Sequence, residues 1–274
     1  MSINIAIIGH GFVGKALDYG FSTASVNKFI IDPLYKTSIK EIKNKVKLDV
    51  AFVCVPTSFG ADGEIDASIV KSVVSELTFF ECPVVIKSTV TPDVVSELSD
   101  ENSNIVYNPE FLTEKNHLAD FINPPFHILG GDQMVTRKVW GLYEKHSQCK
   151  PAPVIYMTAM EASFVKYGIN SFLATKVLWF NQFKDIVENW DGKYNVIVNA
   201  IGSDPRIGHS HTQVPGIDGR NGFGGACFPK DTSAFSNFAK GEFSVLDEVI
   251  KANNIHRKEY ELDDREREQK VDYG

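Results

Sequence analysis

The chain has 274 residues, 43% of them hydrophobic and 23% charged, which supplies enough apolar material for two separate cores and excludes a disordered or fibrous protein. A formal net charge of -7 leaves no basic field with which to gather nucleic acid or anionic lipid. A phosphate-rich ligand then has to be met locally, by backbone N–H groups and a few Lys or Arg.

The first residues, MSINIAIIGHGF, carry no basic flank ahead of their apolar run, and glycines interrupt that run at once. They read as neither signal peptide nor membrane helix, and the expected location is cytoplasmic. Short β-branched runs then alternate with helical stretches: Ile3 to Ile8, Lys28 to Ile31, Val50 to Val55, Val84 to Ile86, Ile105 to Tyr107 and His127 to Leu129. Continuous apolar runs of this length suit parallel strands buried on both faces, so the rhythm predicts a Rossmann-type, doubly wound parallel α/β sheet. Pro151 and Pro153 break the pattern, and the domain boundary is expected there, giving a dinucleotide-binding domain over 1–153.

A mostly helical domain is expected over 154–256, built on one long central helix from Ala159 to Trp190 that Gly192 stops. Its apolar residues, among them Phe164, Phe172, Phe180, Ile186 and Trp190, spread over more than one face. Such a helix can pack on its own domain and on a second subunit, which predicts a homodimer through it. Two shorter helices are expected to follow, with a glycine-rich loop from Gly216 to Cys227 between them. The final stretch, 257–274, is densely charged and is expected to fray into solvent.

Directly after the first strand comes Gly9-His10-Gly11-Phe12-Val13-Gly14, a G-x-G-x-x-G that opens a helix. In this spacing Gly9 permits the tight turn, Gly11 lets the backbone approach a pyrophosphate, and Gly14 lets helix and strand pack closely. The N–H groups at Phe12 and Val13 belong to a helix N-terminus, with its positive dipole end. Asp32 closes the second strand, where a carboxylate accepts both ribose hydroxyls and repels a 2′-phosphate, so the expected cofactor is NAD rather than NADP. The bland alternative is a glycine turn beside a surface aspartate.

Further segments follow in order: Val53-Cys54-Val55-Pro56-Thr57, Lys87-Ser88-Thr89-Val90, Asn108-Pro109-Glu110-Phe111-Leu112-Thr113-Glu114, Lys166-Tyr167-Gly168-Ile169-Asn170, Asp204-Pro205-Arg206-Ile207-Gly208 and Gly224-Gly225-Ala226-Cys227-Phe228-Pro229-Lys230-Asp231. On these segments the chain resembles the UDP-glucose/GDP-mannose dehydrogenase family from about Ile3 to Ile250. The last motif is the most specific, because a Gly-Gly-x-Cys-Phe-x-Lys-Asp loop has no evident packing purpose. Members of the family usually continue into a third, nucleotide-gripping α/β domain, and this sequence stops before it. Ser163 also departs from the pattern, standing where the family often has glutamate; a purely local effect on helix electrostatics is expected of it.

The resemblance implies oxidation of a primary alcohol to a carboxylate with two NAD per turnover, the substrate being a nucleotide sugar such as UDP-glucose. It implies that Thr89 and Asp231 position a water that takes the alcohol proton, with Asp231 as base. Cys227 would attack the aldehyde to give a thiohemiacetal and then a thioester, which water hydrolyses with help from Glu114. Val55, Pro56, Thr57, Thr89 and Lys230 join the expected cofactor set, Lys230 being a candidate for a sugar contact as well. Glu110, Phe111, Leu112, Arg206 and Gly224 join the expected substrate set. Lys166 and Asn170, four residues apart, share one helix face and can serve a common oxygen as charge develops on it.

Each assignment has a plain rival. Cys227 could be buried filler, Lys166 a solvated helix lysine, and Thr89 the cap of a helix beginning near Pro92. Cys54, Cys82 and Cys149 form no CxxC pair and read as inert filler; His209 and His211 read as surface residues, and no metal site is expected. Two other functions stay open on the sequence: a non-catalytic NAD-binding subunit that pairs with another protein, and a dehydrogenase of a smaller hydroxy compound.

Overall fold

Along β1 (Ile3–Ile8), Ile5 and Ile7 enter one apolar cluster and Ala6 and Ile8 another, as the two-residue period of a strand buried on both faces requires. This strand belongs to a computed structural model of the chain that describes residues 2–60, 63–113 and 115–274. After it come α1 (Phe12–Gly20), β2 (Val26–Ile31), α2 (Ile39–Ile42), β3 (Val50–Val53), α3 (Ser68–Leu77), β4 (Val84–Ile86), α4 (Pro92–Glu101) and β5 (Ile105–Tyr107). The sheet side is completed by α5 (His117–Ile122), β6 (His127–Gly131), α6 (Gln133–His146), β7 (Val154–Met157) and the start of α7 (Ala159–Asn189).

The seven strands form one sheet in the order β2-β1-β3-β4-β5-β6-β7. One face is covered by Val70, Val74 and Leu77 of α3 and Val95 and Leu98 of α4; the other by Ala16 and Leu17 of α1 and Val139 and Tyr143 of α6. Each fully buried aliphatic side chain here contributes about 1.5–3 kcal/mol through the water it leaves. The chain moves outward from β1 to β2 and then returns to the far side of β1 for β3. The strand order therefore reverses beside β1, and the carboxyl end of such a reversal is where doubly wound sheets bind ligands.

The expected Rossmann-type sheet is present, with two details that the sequence did not show. It is Rossmann-like but not wholly parallel, because β6 runs antiparallel to β5, pairing Val106 with Gly131 and Tyr107 with Gly130. A seventh strand, β7, pairs in parallel with β6 beyond the expected boundary at residue 153. The chain divides instead into a unit of residues 1–57 and 66–166 and a second unit of residues 58–65 and 167–274. The division thus falls within α7. At its start, Glu161 accepts from the Thr158 N–H and hydroxyl while the Glu161 N–H donates to the Thr158 hydroxyl, a reciprocal cap that fixes the first turn.

The second unit holds the remainder of α7, α8 (Tyr194–Gly202), α9 (Phe228–Ala239), α10 (Ser244–Arg257) and α11 (Asp264–Glu268). Phe180, Val187, Tyr194, Val198 and Val214 make one of its apolar clusters, and Ala174, Leu178 and Phe223 another. Three helices, α9, α10 and α11, lie after the glycine-rich loop where one was expected. The stretch 257–274 is also corrected: it does not fray. Arg257, Glu266, Val271 and Tyr273 are buried, and Asp263 and Glu266 form a capping box on α11. Charge along the sequence reported solvation, whereas opposite charges paired in space permit burial.

Candidate active site

In the first unit the Gly9-to-Gly14 turn joins β1 to α1. Gly9 has φ +88°, and a Cβ there would stand 2.5 Å from the carbonyl oxygen of Cys54. A Cβ on Gly14 would stand 2.0 Å from the carbonyl oxygen of Gly9, so helix and turn close only on glycine. A Cβ on Gly11, by contrast, would meet nothing within 4 Å, and Gly11 caps α1 without any side-chain hydrogen bond. That leaves a helix N-terminus with open space before it, the cradle a pyrophosphate fits.

Asp32 follows β2. Its Oδ2 accepts from the His10 N–H at 2.7 Å and its Oδ1 from the Leu34 N–H at 2.9 Å. The carboxylate is thereby locked in place at the strand end while staying half-exposed, as a ribose diol would need. His10 is held on both sides, by Tyr35 Oη at 2.8 Å and Asp18 Oδ2 at 3.1 Å. Burial works against ionisation of Asp18, but hydrogen bonds from Lys28 and His10 prevail and hold its carboxyl below the ordinary range. These residues fit a dinucleotide, and they include a sequence motif and one acid that sequence reasoning found, together with His10, which it passed over.

Val55 and Thr57 are buried and Pro56 is exposed on the segment after β3. The Ser88 hydroxyl ties that segment to the β4 side, donating to the Val55 carbonyl at 2.7 Å. Thr89 does not cap α4; the residue at that position is Thr91. The turn carrying Thr89 is anchored by Ser163, which is fully buried in α7 and donates to the Val90 carbonyl at 2.7 Å. The expected purely electrostatic consequence of Ser163 is therefore corrected to a positional one.

Lys166 is also buried, not solvated. Its Nζ donates to the Glu110 carbonyl at 2.7 Å, lies 3.7 Å from Glu110 Oε1 and sits 5.3 Å from the centre of the Phe111 ring. Glu110 in turn accepts from the Leu112 N–H at 2.7 Å, so one lysine and one carboxylate fix the Glu110–Leu112 turn from both sides. Glu114 lies outside the described residues.

Behind that turn is a cavity of about 180 Å³ lined by Lys87, Asn108, Phe111, Phe126, His127 and Tyr143, among others. Lys87 and Tyr143 both donate to Asn108 Oδ1 at 3.0 Å, and Asn108 donates to the Ile128 carbonyl. Burial lowers the Lys87 pKa against the pull of Cys54 and Glu110. Burial, with Lys87 in support, also pushes His127 down to about 4. Sequence reasoning missed this polar group, although a lysine closing the apolar run Val84-Val85-Ile86 was the available signal. Burial raises the Cys54 thiol to about 12 and the Cys82 thiol to about 11, and raises Cys149 as well, which suits filler rather than nucleophiles.

In the second unit Cys227 is the N-cap of α9 and is exposed. Pro229 in the first turn supplies preset backbone, and the Asp231 N–H donates to the Cys227 carbonyl at 2.9 Å. The Asp231 side chain is buried, accepting from Asn170 Nδ2 at 2.6 Å through one oxygen and from Lys230 Nζ through the other. Three predicted residues, Asn170, Lys230 and Asp231, are thus brought into one group one turn from the thiol.

The loop leading to Cys227 is pinned at successive amides by residues sequence reasoning did not single out. The Gly222 N–H donates to Asn181 Oδ1 and the Phe223 N–H to Asn253 Oδ1, while Asn253 Nδ2 donates back to the Phe223 carbonyl. The Gly225 N–H donates to Glu266 Oε1 at 3.2 Å. A Cβ on Gly224 would stand 2.1 Å from Arg257 Nη2, so glycine is what lets the guanidinium lie against this backbone. Arg206 stands apart, its side chain 87% exposed and held by the Asp204 carboxylate through Nη2 at 2.6 Å. His209 packs on Gly202 and His211 lies 5.7 Å from the Phe228 ring.

Comparisons with known proteins bear on both units. Residues 34–146 match the model of the NAD binding domain of the UDP-glucose/GDP-mannose dehydrogenase family, and residues 160–255 match that family's central domain. The UDP-glucose 6-dehydrogenase of Rickettsia bellii is 27% identical over 297 residues, covering 92% of this chain and 67% of its own length. Two further relatives are covered to 64% and 63%, so the chain spans about two thirds of the length of the curated relatives it matches. A UDP-glucose dehydrogenase structure from Pyrobaculum islandicum superposes with a TM-score of 0.75 at 23% identity, over 93% of this chain and 68% of that one. A 3-hydroxyisobutyrate dehydrogenase from Mycobacterium tuberculosis shares the fold with a TM-score of 0.72 at 17% identity, over 100% and 97% of the two chains. Among the described residues no helix is long and apolar enough to cross a membrane.

Proposed function

Because the chain belongs to the UDP-glucose/GDP-mannose dehydrogenase family, we propose that it is an NAD-dependent nucleotide-sugar 6-dehydrogenase, oxidising UDP-glucose or a related sugar nucleotide to the uronic acid. The observation that carries this reading is the buried Asn170–Asp231–Lys230 group in the first turn of a helix whose N-cap is the exposed Cys227. A base, an amide donor and a thiol are the functional groups that oxidation of an alcohol through a held aldehyde requires.

When bound, NAD accepts hydride in each of the two oxidations. Gly11, the α1 N-terminus and Asp32 hold it in the first unit. In the alcohol oxidation Asp231 serves as the base for the hydroxyl proton. Lys230 is bonded to the same carboxylate and holds it in place. Cys227 then adds to the aldehyde carbon as the thiolate, forming a C–S bond, and the alkoxide oxygen takes a proton to complete the thiohemiacetal. Asn170 and Lys166 stabilise negative charge on that oxygen. The second oxidation converts the thiohemiacetal to a thioester, and water cleaves the C–S bond to release carboxylate and regenerate the thiol. Glu114 assists that water, and Glu110 holds the active-site turn.

The proposed substrate contacts are the Glu110-to-Leu112 turn in the first unit and Gly224 and Arg206 in the second, and the exposed guanidinium of Arg206 suits a contact with phosphate or with a second subunit. A homodimer is proposed through α7, whose Phe172, Trp179 and Ile186 are exposed, as is Trp190 just past its end. Sedimentation of a Trp179→Glu variant tests it, since the dimer predicts a fall to monomer at micromolar concentration and an unchanged profile removes α7 as the interface.

The activity is tested by NADH absorbance with UDP-glucose and other sugar nucleotides. The expected result is two NADH per sugar and no uronic acid from Cys227→Ala, which still binds NAD. Uronic acid formed by Cys227→Ala removes the covalent route. A second reading, a smaller hydroxy substrate, is kept by the fold shared with 3-hydroxyisobutyrate dehydrogenase and predicts one NADH per molecule. No reduction with any substrate, alongside NAD binding, leaves a non-catalytic cofactor-binding subunit.

A further inference from the structure

We propose that Glu266 is a positioning residue for Cys227, acting as the keystone of a charged clamp that the segment 257–273 places under the cysteine loop. The proposal rests on the reading of Cys227 as nucleophile but adds to it a group beyond the central-domain match, which ends at residue 255.

Glu266 is fully buried, and its two oxygens are used almost completely. Oε1 accepts from Arg257 Nη2 at 2.6 Å, from the Tyr273 hydroxyl at 2.7 Å and from the Gly225 N–H at 3.2 Å. Oε2 accepts from the Asp263 N–H at 2.9 Å and from Arg220 Nη1 at 3.4 Å. Arg257, itself buried, uses Nη1 on Asp218 Oδ2 at 2.7 Å, while its Nε has no hydrogen-bond partner among the described residues. Asp218, Arg220 and Gly225 all belong to the loop that ends in Cys227, so one carboxylate and one guanidinium grip that loop at three points.

Taking these charges out of water costs several kcal/mol per ion before pairing, and mutual packing of apolar residues would stabilise a tail at least as well. A buried ionic cluster does better at fixing one geometry, because each oxygen and each N–H has a defined direction. Here that geometry terminates two residues before the thiol, at the point where the chain must turn into α9. Burial raises the Glu266 pKa in isolation, yet Tyr273, Asp263 and Arg257 together hold it below the ordinary carboxylate range, so the clamp stays ionised at neutral pH.

The test follows the thiol directly and needs no substrate, so it stands or falls apart from the dehydrogenase assignment. Iodoacetamide modification of Cys227 is timed by mass spectrometry at pH 7 for the unmodified chain, Glu266→Gln and Tyr273→Phe. Tryptophan fluorescence and NAD titration establish that each variant is folded. A thiol held at a helix N-terminus reacts faster than a loose one. Glu266→Gln is expected to slow Cys227 modification at least fivefold with NAD affinity within twofold, and Tyr273→Phe about twofold. A brace with only a structural role lowers the melting temperature and leaves the rate for folded molecules unmoved. Rates within 1.5-fold of the unmodified chain in both variants overturn the proposal. Should Glu266→Gln lose its native fluorescence, the Tyr273→Phe rate alone decides on the same criterion.

Discussion

Asn170 donates its side-chain amide to Asp231 across 2.6 Å inside the second unit, where the carboxylate is 1% exposed and also paired with Lys230. The α7 residue therefore presents a donor to a charge that has no water to rely on. Asn170→Asp replaces that donor with a second carboxylate, and two such groups at this separation cannot both ionise. The pair's proton is bound more tightly in the folded chain than in the unfolded one, so stability falls as pH rises above about 4. A loss of about 2–4 kcal/mol at pH 7 is expected from urea unfolding, with partial recovery at pH 5. A variant equally stable at both pH values contradicts the pairing.

Asp32 braces His10 and Leu34 through their N–H groups, and it is the carboxylate proposed to meet the ribose of the cofactor. Asp32→Ser keeps a short polar acceptor and removes the charge. Its NAD dissociation constant, read from quenching of protein fluorescence, is expected to rise at least tenfold, and discrimination against NADP to shrink because the repulsion of a 2′-phosphate is gone. Unaltered preference would show that selection rests elsewhere.

His127 lines the cavity behind the Glu110 turn, with Nε2 unpartnered among the described residues and its pKa pushed down to about 4 by burial and by Lys87. The unfolded chain binds the proton from about pH 6.5 downward and the folded chain only near 4. Stability is thus fully present above about 6.5 and drains away as the pH falls toward 4, by about 2 kcal/mol after allowance for solvent screening. His127→Phe, which keeps the ring contact with Trp140, should flatten that part of the stability profile. An identical slope in both proteins assigns the acid sensitivity to another group.

Much of the first unit was legible before any coordinates. Ile3 to Ile8 followed by Gly9-x-Gly11-x-x-Gly14 specifies a buried strand, a tight turn and a helix with little room for another reading, and Asp32 falls at the end of the next strand. The direction of β6 was not legible, because the apolar run His127 to Leu129 looks the same whichever way it enters a sheet. Strand β7 escaped for a different reason: four residues, half-exposed at the sheet's edge and preceded by two prolines, carry almost no periodic signal. In the second unit the motif around Cys227 pointed to Lys230 and Asp231 and the Lys166-to-Asn170 segment to Asn170, while Asn181, Asn253, Arg257 and Glu266 did not stand out. Those four hold loop backbone, and a side chain that recognises a peptide N–H or C=O leaves no pattern along the sequence. Local charge density even pointed the wrong way for Arg257 and Glu266, since burial of a charge depends on a partner that folding brings from elsewhere.

The contact between the α-carbon of Gly224 and the guanidinium of Arg257 carries one last consequence. Because a methyl group at 224 would occupy the place of Nη2, the two positions are not independent variables in the history of the chain. A side chain at 224 ahead of any change at 257 meets the guanidinium, whereas a shorter residue at 257 ahead of any change at 224 leaves a void beneath the loop. Drift at this spot is therefore expected in pairs, a covariation set by sterics alone.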